Sequence, residues 1–464
     1  MQSPVGEAPA VPAERPTRAA PRVFAALALT YGLAFLVVTP PFGNPDEQRH
    51  LARAYLISEG RLAVPGRAPG TEARIPRSIV VLHQRMAHSE PLQPPRTFHR
   101  GELRSTFDQA LAPNDRVEVV SLGSYGPIAY APQALAILLG RIPEAPPAVL
   151  LYLGRLSSLL AYVFAGWLAI TWVPLRKWAL CLLLLTPMPL SQAASLSADG
   201  ATNALAVLFV SSVWRILFDR ESRISWGEMA LPVMTSALLG LTKPAYWPLA
   251  ALVLLIPGRR FRNGRQRWLL CASVAVAAII PSLLWLLAAR ASDPVAPTVD
   301  ASPEQQLLFV LHHPIVFTGI ALRTLSSAWP DYVRTLVGVL GHLNVPLPGA
   351  IYVIYPLGLV GAALCDPRDP PELSPLLRLA LVAIFLAGLG CVLLMSYLGW
   401  NPVGAAVVSG VQGRYFVPSL PLLLLAIPAV GIHLPRHCLA WGTTLLAALS
   451  LSLAVNAVWL SFFS

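Results

Sequence analysis

V-F-A-A-L-A-L-T-Y-G-L-A-F-L-V-V-T-P, residues 23–40, carries no charge over eighteen positions, and P-P-F-G-N-P-D-E-Q-R-H, Pro40 to His50, follows at once with two carboxylates and two potential cations. An apolar run of that length can cross the hydrocarbon core as an α-helix, at ~1.5 Å per residue. Charge at the mouth of such a helix is costly, so ionisable residues there point to a role other than packing. Working outward, further runs of low charge recur at 148–173, 178–195, 200–218, 268–289, 347–365, 376–398, 414–433 and 438–461, with a shorter apolar hairpin at 228–257. No ten-residue strand-like alternation recurs, which favours a helical bundle over a barrel. With 55% hydrophobic and 12% charged residues and a mean hydropathy of +0.60, the fold class is all-α, a polytopic transmembrane bundle.

The net charge of +11 does not indicate nucleic acid, because the arginines cluster at short loops between apolar runs, the pattern of cytoplasmic anchoring. The strongest cluster is G-R-R-F-R-N-G-R-Q-R, with Arg259, Arg260, Arg262, Arg265 and Arg267. Arg176 with Lys177, Arg220 with Arg223, and Arg436 mark the same side. Residues 1–22, rich in Pro and Ala with Arg15, Arg18 and Arg22, read as a disordered cytoplasmic tail. Only 23–40 and 148–173 lie between that tail and Arg176, so 41–147 forms a long external loop. Within it, 126–141 is a juxtamembrane or re-entrant helix, its crossing left open. The 228–257 hairpin points its centre, Leu241–Pro248, outward, and 290–345 is a second external region with helices on the membrane, where a crossing by 308–328 stays open. The count reaches about eleven spans in one membrane domain, 23–464. The expected location is the inner membrane, multi-pass, with the N-terminus cytoplasmic. The cysteines (Cys181, Cys271, Cys365, Cys391, Cys438) fall in or at the edge of apolar runs, and no C-x-x-C suggests zinc or a disulfide framework.

Sorted by side, the chemistry-bearing residues fall on the external face. Asp46 and Glu47 open the first loop, with His50 one turn on. Asp199 sits in S-L-S-A-D-G-A-T-N, Lys243 at the hairpin tip, Arg414 in G-V-Q-G-R-Y-F, and Tyr125 and Tyr130 flank the re-entrant helix. Each has a plainer reading. N-P-D-E suits a helix start, with Asn44 as N-cap, Pro45 at the first position and Glu47 closing a capping pair. Glu47 is therefore either a cap or a site residue, while the cap has no use for Asp46. His50 orients Asp46 or is solvated. Asp199 could cap its helix. Lys243 and Arg414 could snorkel to headgroups, but external cations run against the positive-inside bias and suit a phosphate. Tyr246, Trp247, Trp400, Tyr415 and Phe416 read as an interfacial belt. His312-His313 has no acidic or Cys neighbours at ligand spacing and reads as surface, so no metal ligands are assigned.

P-P-F-x-x-P-D-E-x-x-H-x-x-x-A-Y at Pro40–Tyr55, S-A-D-G at Ser197–Gly200, T-K-P-A-Y at Thr242–Tyr246 and V-Q-G-R-Y-F at Val411–Phe416 together resemble the domain-of-unknown-function 2142 family of polytopic bacterial proteins, over roughly 24–460. That family is grouped with the GT-C superfamily of membrane glycosyltransferases. The resemblance implies a GT-C-like bundle that uses a polyprenyl-phosphate-linked sugar outside the membrane. It makes Asp46 the catalytic or metal-binding position and Asp199 the second acidic position, and Glu47 stands with them as a catalytic candidate. Arg414, Lys243, His50, Gln412, Tyr415 and Tyr125 become substrate- or phosphate-binding candidates. The adjacent two-aspartate form of some members is Asp-Glu here, which counts against a divalent metal, the one candidate cofactor, without deciding it. A large soluble C-terminal domain is lacking, which argues against an oligosaccharyltransferase. The implied reaction moves one sugar, with inversion, from a polyprenyl-phosphate donor to an envelope glycan or lipid acceptor; membrane lipids are further partners and nucleic acid is not one. The alternative is a non-enzymatic flippase or envelope-assembly protein that binds the same lipid-linked glycan. Charges at the ends of spans rather than at their midplane favour the enzyme.

Overall fold

The computed structural model describes residues 19–62, 73–86, 93–119, 125–219, 223–290, 302–365, 373–428 and 435–463. Most of the expected cytoplasmic tail, 1–18, lies outside these residues, as do Arg220 and 291–301. The rest of that tail, from Ala19, is already helical and forms the first turn of the Ala19–Val38 helix.

Among the described residues six helices are long and apolar enough to cross a membrane: Ala19–Val38, Pro147–Trp172, Ala198–Phe218, Gly264–Ala289, Pro375–Trp400 and His437–Phe463. They coincide with six of the apolar runs. A seventh is formed if Pro303–His312 and Pro314–Val337, which meet at a 107° bend, count as one. The other runs are broken. Residues 178–195 become Lys177–Leu184 and Pro187–Ala193, because Pro187 and Pro189 cannot continue the preceding hydrogen-bond ladder. The 228–257 hairpin becomes an α-helix, Trp226–Gly240, and a 3₁₀ segment, Pro244–Leu255. The 347–365 run shortens to Ile351–Leu364, and 414–433 splits into a 3₁₀ turn, Gly413–Phe416, and Leu420–Ala426. Of the broken segments, Lys177–Leu184 and Pro187–Ala193 lie wholly inside the protein, where irregular backbone is tolerated.

Hydrogen bonds mark the two ends of the bundle. At one end Arg176 donates to the carbonyls of Ala363 and Ile427, and Arg260 donates to Ile216 O and Asp219. The capping box of Ser225 and Glu228 also lies there. At the other end the segment after the first helix meets the rest of the chain: His342 Nε2 lies 2.8 Å from Phe42 O, and Phe98 N donates to Phe462 O at 2.8 Å. A cap covers this second end. It contains the helices Glu47–Ser58, Arg77–Arg85, Arg100–Ser105 and Ala131–Arg141 and a short antiparallel pairing of Arg74–Pro76 with Arg116–Glu118. A second small pairing joins Val339–Leu340 to Val345–Pro346. The 126–141 segment is a 3₁₀ turn, Pro127–Tyr130, running into Ala131–Arg141, eleven residues long and therefore short for a crossing.

Candidate functional site

Four separate stretches converge at the capped end. Ser197 caps the Ala198–Phe218 helix by accepting from Asp199 N at 3.1 Å, so Asp199 stands in the first turn and is not itself the cap. Its carboxylate is thereby free to point sideways, and it pairs with the Lys243 ammonium and accepts from Gln192 Nε2. Arg414 Nε stands 3.6 Å from the same carboxylate. The Lys243 ammonium also lies 5.1 Å from the Tyr125 ring centre and 5.0 Å from that of Tyr415, and the Arg414 guanidinium lies 5.3 Å from Tyr415. Tyr246, expected in an interfacial belt, is instead buried, and its hydroxyl donates to Tyr415 O at 2.9 Å. Neither Lys243 nor Arg414 snorkels outward: their side chains are only 13% and 10% exposed.

Two glycines permit this convergence. A Cβ on Gly126 would stand 2.2 Å from Leu241 O, so the loop carrying Tyr125 packs directly on the turn that carries Lys243. A Cβ on Gly413 would stand 1.7 Å from Tyr332 O, and its N–H donates to Thr335 Oγ1 at 2.8 Å. Arg414 is thus set against the Pro314–Val337 helix by a backbone approach no larger residue allows.

Asp46 and Glu47, neighbours in sequence, part company. The helix begins at Glu47, with Asp46 as its N-cap in the left-handed region (φ 56°, ψ 12°) and no side-chain capping bond. The expected Asn44–Pro45 start does not form. A left-handed non-glycine residue is uncommon and costs roughly 1 kcal/mol, least for Asp and Asn. That turn leaves the Asp46 side chain 53% exposed, 3.7 Å from Arg49, and sends Glu47 inward. Glu47 is neither a cap nor accessible, because it forms a two-pronged pair with Arg155: Nε to Oε1 at 2.8 Å and Nη2 to Oε2 at 2.6 Å, both side chains 0% exposed. Arg155 also donates to Thr39 O (2.6 Å) and Pro40 O (2.9 Å), and Glu47 accepts from Leu196 N (3.0 Å). One pair therefore ties the end of the first helix to the loop that sets Asp199.

His50 is buried rather than solvated. Its Nδ1 shares a 2.8 Å hydrogen bond with the Tyr130 hydroxyl, and its ring stacks on Tyr125 at 6.3 Å and 16°. Burial pushes its pKa down to about 4 against the opposing pull of Asp46, Asp199 and Glu47, so the imidazole is neutral near pH 7. Asp46, half exposed, contributes to the electrostatic surroundings of both His50 and Tyr125. Burial works against the charge on Lys243, but Asp199 and the surrounding tyrosines hold its pKa well above the ordinary value. Lys243 weighs most on the Tyr125 phenol and pulls it down, yet burial and the nearby acids leave it raised.

The sorting by side passes over two residues, Arg155 and Gln192. Arg155 is the one charge in the 148–173 run and Gln192 the one amide in 178–195, a pattern that signals a partner. Gln192 Oε1 and Arg414 Nε, on residues that meet Asp199, and Gln412 Oε1, two residues before Arg414, are buried with no hydrogen-bond partner. His312 and His313 are exposed. Among the described residues no group of three or more His, Cys, Asp or Glu side chains could hold a metal ion.

The family model described as "Predicted membrane protein (DUF2142)" matches residues 29–423, and the chain belongs to this family. Comparison with curated proteins and with solved structures gives no match.

Proposed function

We propose that this member of the DUF2142 family is a GT-C-type membrane glycosyltransferase, which moves one sugar from a polyprenyl-phosphate donor to an envelope glycan or lipid acceptor outside the inner membrane. The observation that carries the reading is the charge balance of the cluster. Two largely buried cations, Lys243 and Arg414, face one carboxylate, Asp199, and Arg414 Nε is left without a hydrogen-bond partner. A buried net positive charge is costly unless an anion completes it. A site of this sign at one end of a membrane bundle suits a phosphate attached to a lipid.

In the reaction Asp46 accepts the proton of the acceptor hydroxyl as that oxygen bonds to the anomeric carbon. The bond from that carbon to the donor phosphate oxygen breaks, and its electron pair leaves with the polyprenyl phosphate. Lys243 and Arg414 stabilise the charge that develops there. Inversion follows from attack opposite the leaving group. A divalent metal has no place in this scheme, since the two cations already stand where it would act and would repel it.

The orientation rests on the arginines. Arg176, Lys177, Arg259, Arg260, Arg262 and Arg267 belong to the end away from the cluster, and by the positive-inside bias that end is cytoplasmic. On this reading five shorter or broken segments, at 177–193, 226–240, 244–255, 351–364 and 413–426, cross beside the six long helices, for eleven crossings with the N-terminus inside. The bent pair from Pro303 to Val337 lies along the outer surface.

The test is transfer of label from a panel of radiolabelled polyprenyl-phosphate sugars to envelope extract, by purified protein in detergent. Label entering the extract from one donor is the expected result. Transfer from none, by protein shown to be folded, would replace the enzyme with a lipid-glycan handling protein.

A further inference from the structure

The cluster is short of negative charge, and yet its one anion position is already filled from within. Asp199 touches the Lys243 ammonium, while Arg414 meets the same carboxylate only at 3.6 Å, outside hydrogen-bond reach. The guanidinium fork is thus not matched as it is at Arg155, whose Nε and Nη2 both bond to Glu47. Asp199 has a second anchor that needs neither cation, because Gln192 Nε2 donates to Oδ2 while Gln192 Oε1, on a side chain 5% exposed, has no partner. The backbone beneath is fixed by Ser197. A carboxylate so placed can let go of the cations and stay in the site.

We propose that Asp199 is an internal stand-in for phosphate: it occupies Lys243 and Arg414 in the empty site and is displaced towards Gln192 when a prenyl-linked phosphate, the donor's diester or the product's monoester, is bound. The inference rests on the phosphate site proposed above and adds a competition to it. Asp199 and the ligand contend for the same two cations, so the observed affinity is reduced by the fraction of time the carboxylate leaves them free. The displaced carboxylate ends beside the phosphate, which confines its release to the liganded state.

Asp199→Asn keeps the shape and removes the competing charge. Binding is measured in detergent with inorganic phosphate, with a ten-carbon prenyl phosphate and with the corresponding prenol, by titration and by the shift in thermal midpoint. The expected result is half-saturation of the variant at a concentration at least about tenfold lower than for wild type, with no response to the prenol. The anion should also raise the variant's midpoint more than wild type's, so a less stable variant still reports. A gain with the prenyl phosphate alone assigns the lipid headgroup, and a gain with both probes means that the phosphate group suffices. Anion binding that is equal or weaker in the variant overturns the stand-in and leaves the phosphate site intact. No binding of either anion by either protein overturns both.

Discussion

Glu47–Arg155 and Asp199–Lys243–Arg414 lie at the same end of the bundle and are finished to different degrees. The first pair is wholly buried, and both carboxylate oxygens and three guanidinium nitrogens are bonded. In the second, cations outnumber the carboxylate, aromatic faces line both cations, and Arg414 Nε, Gln192 Oε1 and the neighbouring Gln412 Oε1 are buried without partners. A buried orphan of this kind costs roughly 1–3 kcal/mol. Satisfied charges hold a fold together, whereas unsatisfied ones are held ready for something that arrives later. The contrast separates two neighbouring carboxylates: Glu47 belongs to the framework and Asp46 stays half exposed.

The contrast breaks first at Glu47. Glu47→Leu or Arg155→Leu alone strands a buried charge and should cost about 3–5 kcal/mol, read as a large drop in the thermal midpoint in detergent. The double variant should lose less than the sum of the two, though the carbonyls of Thr39 and Pro40 keep it below wild type. Single variants that melt like wild type would mean that this pair is not the fastening.

A smaller effect is expected at Gly413→Ala. The added methyl must push the chain away from Tyr332 O, at about 1–3 kcal/mol for an overpacked contact, and Arg414 moves with it. Anion binding should then weaken more than stability does; unchanged binding would separate Arg414 from the phosphate.

His50 gives a pH signature. Its folded pKa is depressed to about 4 from 6.5, so the unfolded chain takes up the proton first as pH falls. Its contribution is therefore complete above pH 6.5 and is lost from 6.5 down towards 4, with a slope of at most about 1.4 kcal/mol per pH unit. Midpoints of wild type and His50→Gln, compared between pH 7.5 and 5, should converge at the acid end. Parallel curves would show that His50 is not the group responsible.

Much of this was legible in the sequence. Runs of low charge located the six long helices, and the positive-inside bias, against which Lys243 and Arg414 run, singled out two cations that do meet at Asp199. The broken crossings were less legible: Pro187 and Pro189 signal a break, but hydropathy reads across it. The division between Asp46 and Glu47 was not legible at all. It depends on a left-handed turn at Asp46 and on Arg155, 108 residues from Glu47 in the chain. The burial of His50, whose sequence leaves it either orienting Asp46 or solvated, and of Tyr246, which reads as an interfacial residue, comes with distant partners, Tyr130 and Tyr415.

The smallest effect on the fold should accompany the largest on function, at Asp46. Its side chain is half exposed and, among the described residues, its ion pair is with Arg49, so Asp46→Asn should alter stability by no more than about 0.5 kcal/mol. Sugar transfer per folded molecule, measured for this variant beside wild type with the donor found active, tests the account most directly. The account predicts a wild-type thermal midpoint with transfer reduced about 10²–10⁴-fold, the loss typical of a missing general base. Undiminished transfer would contradict it and remove Asp46 from the chemistry.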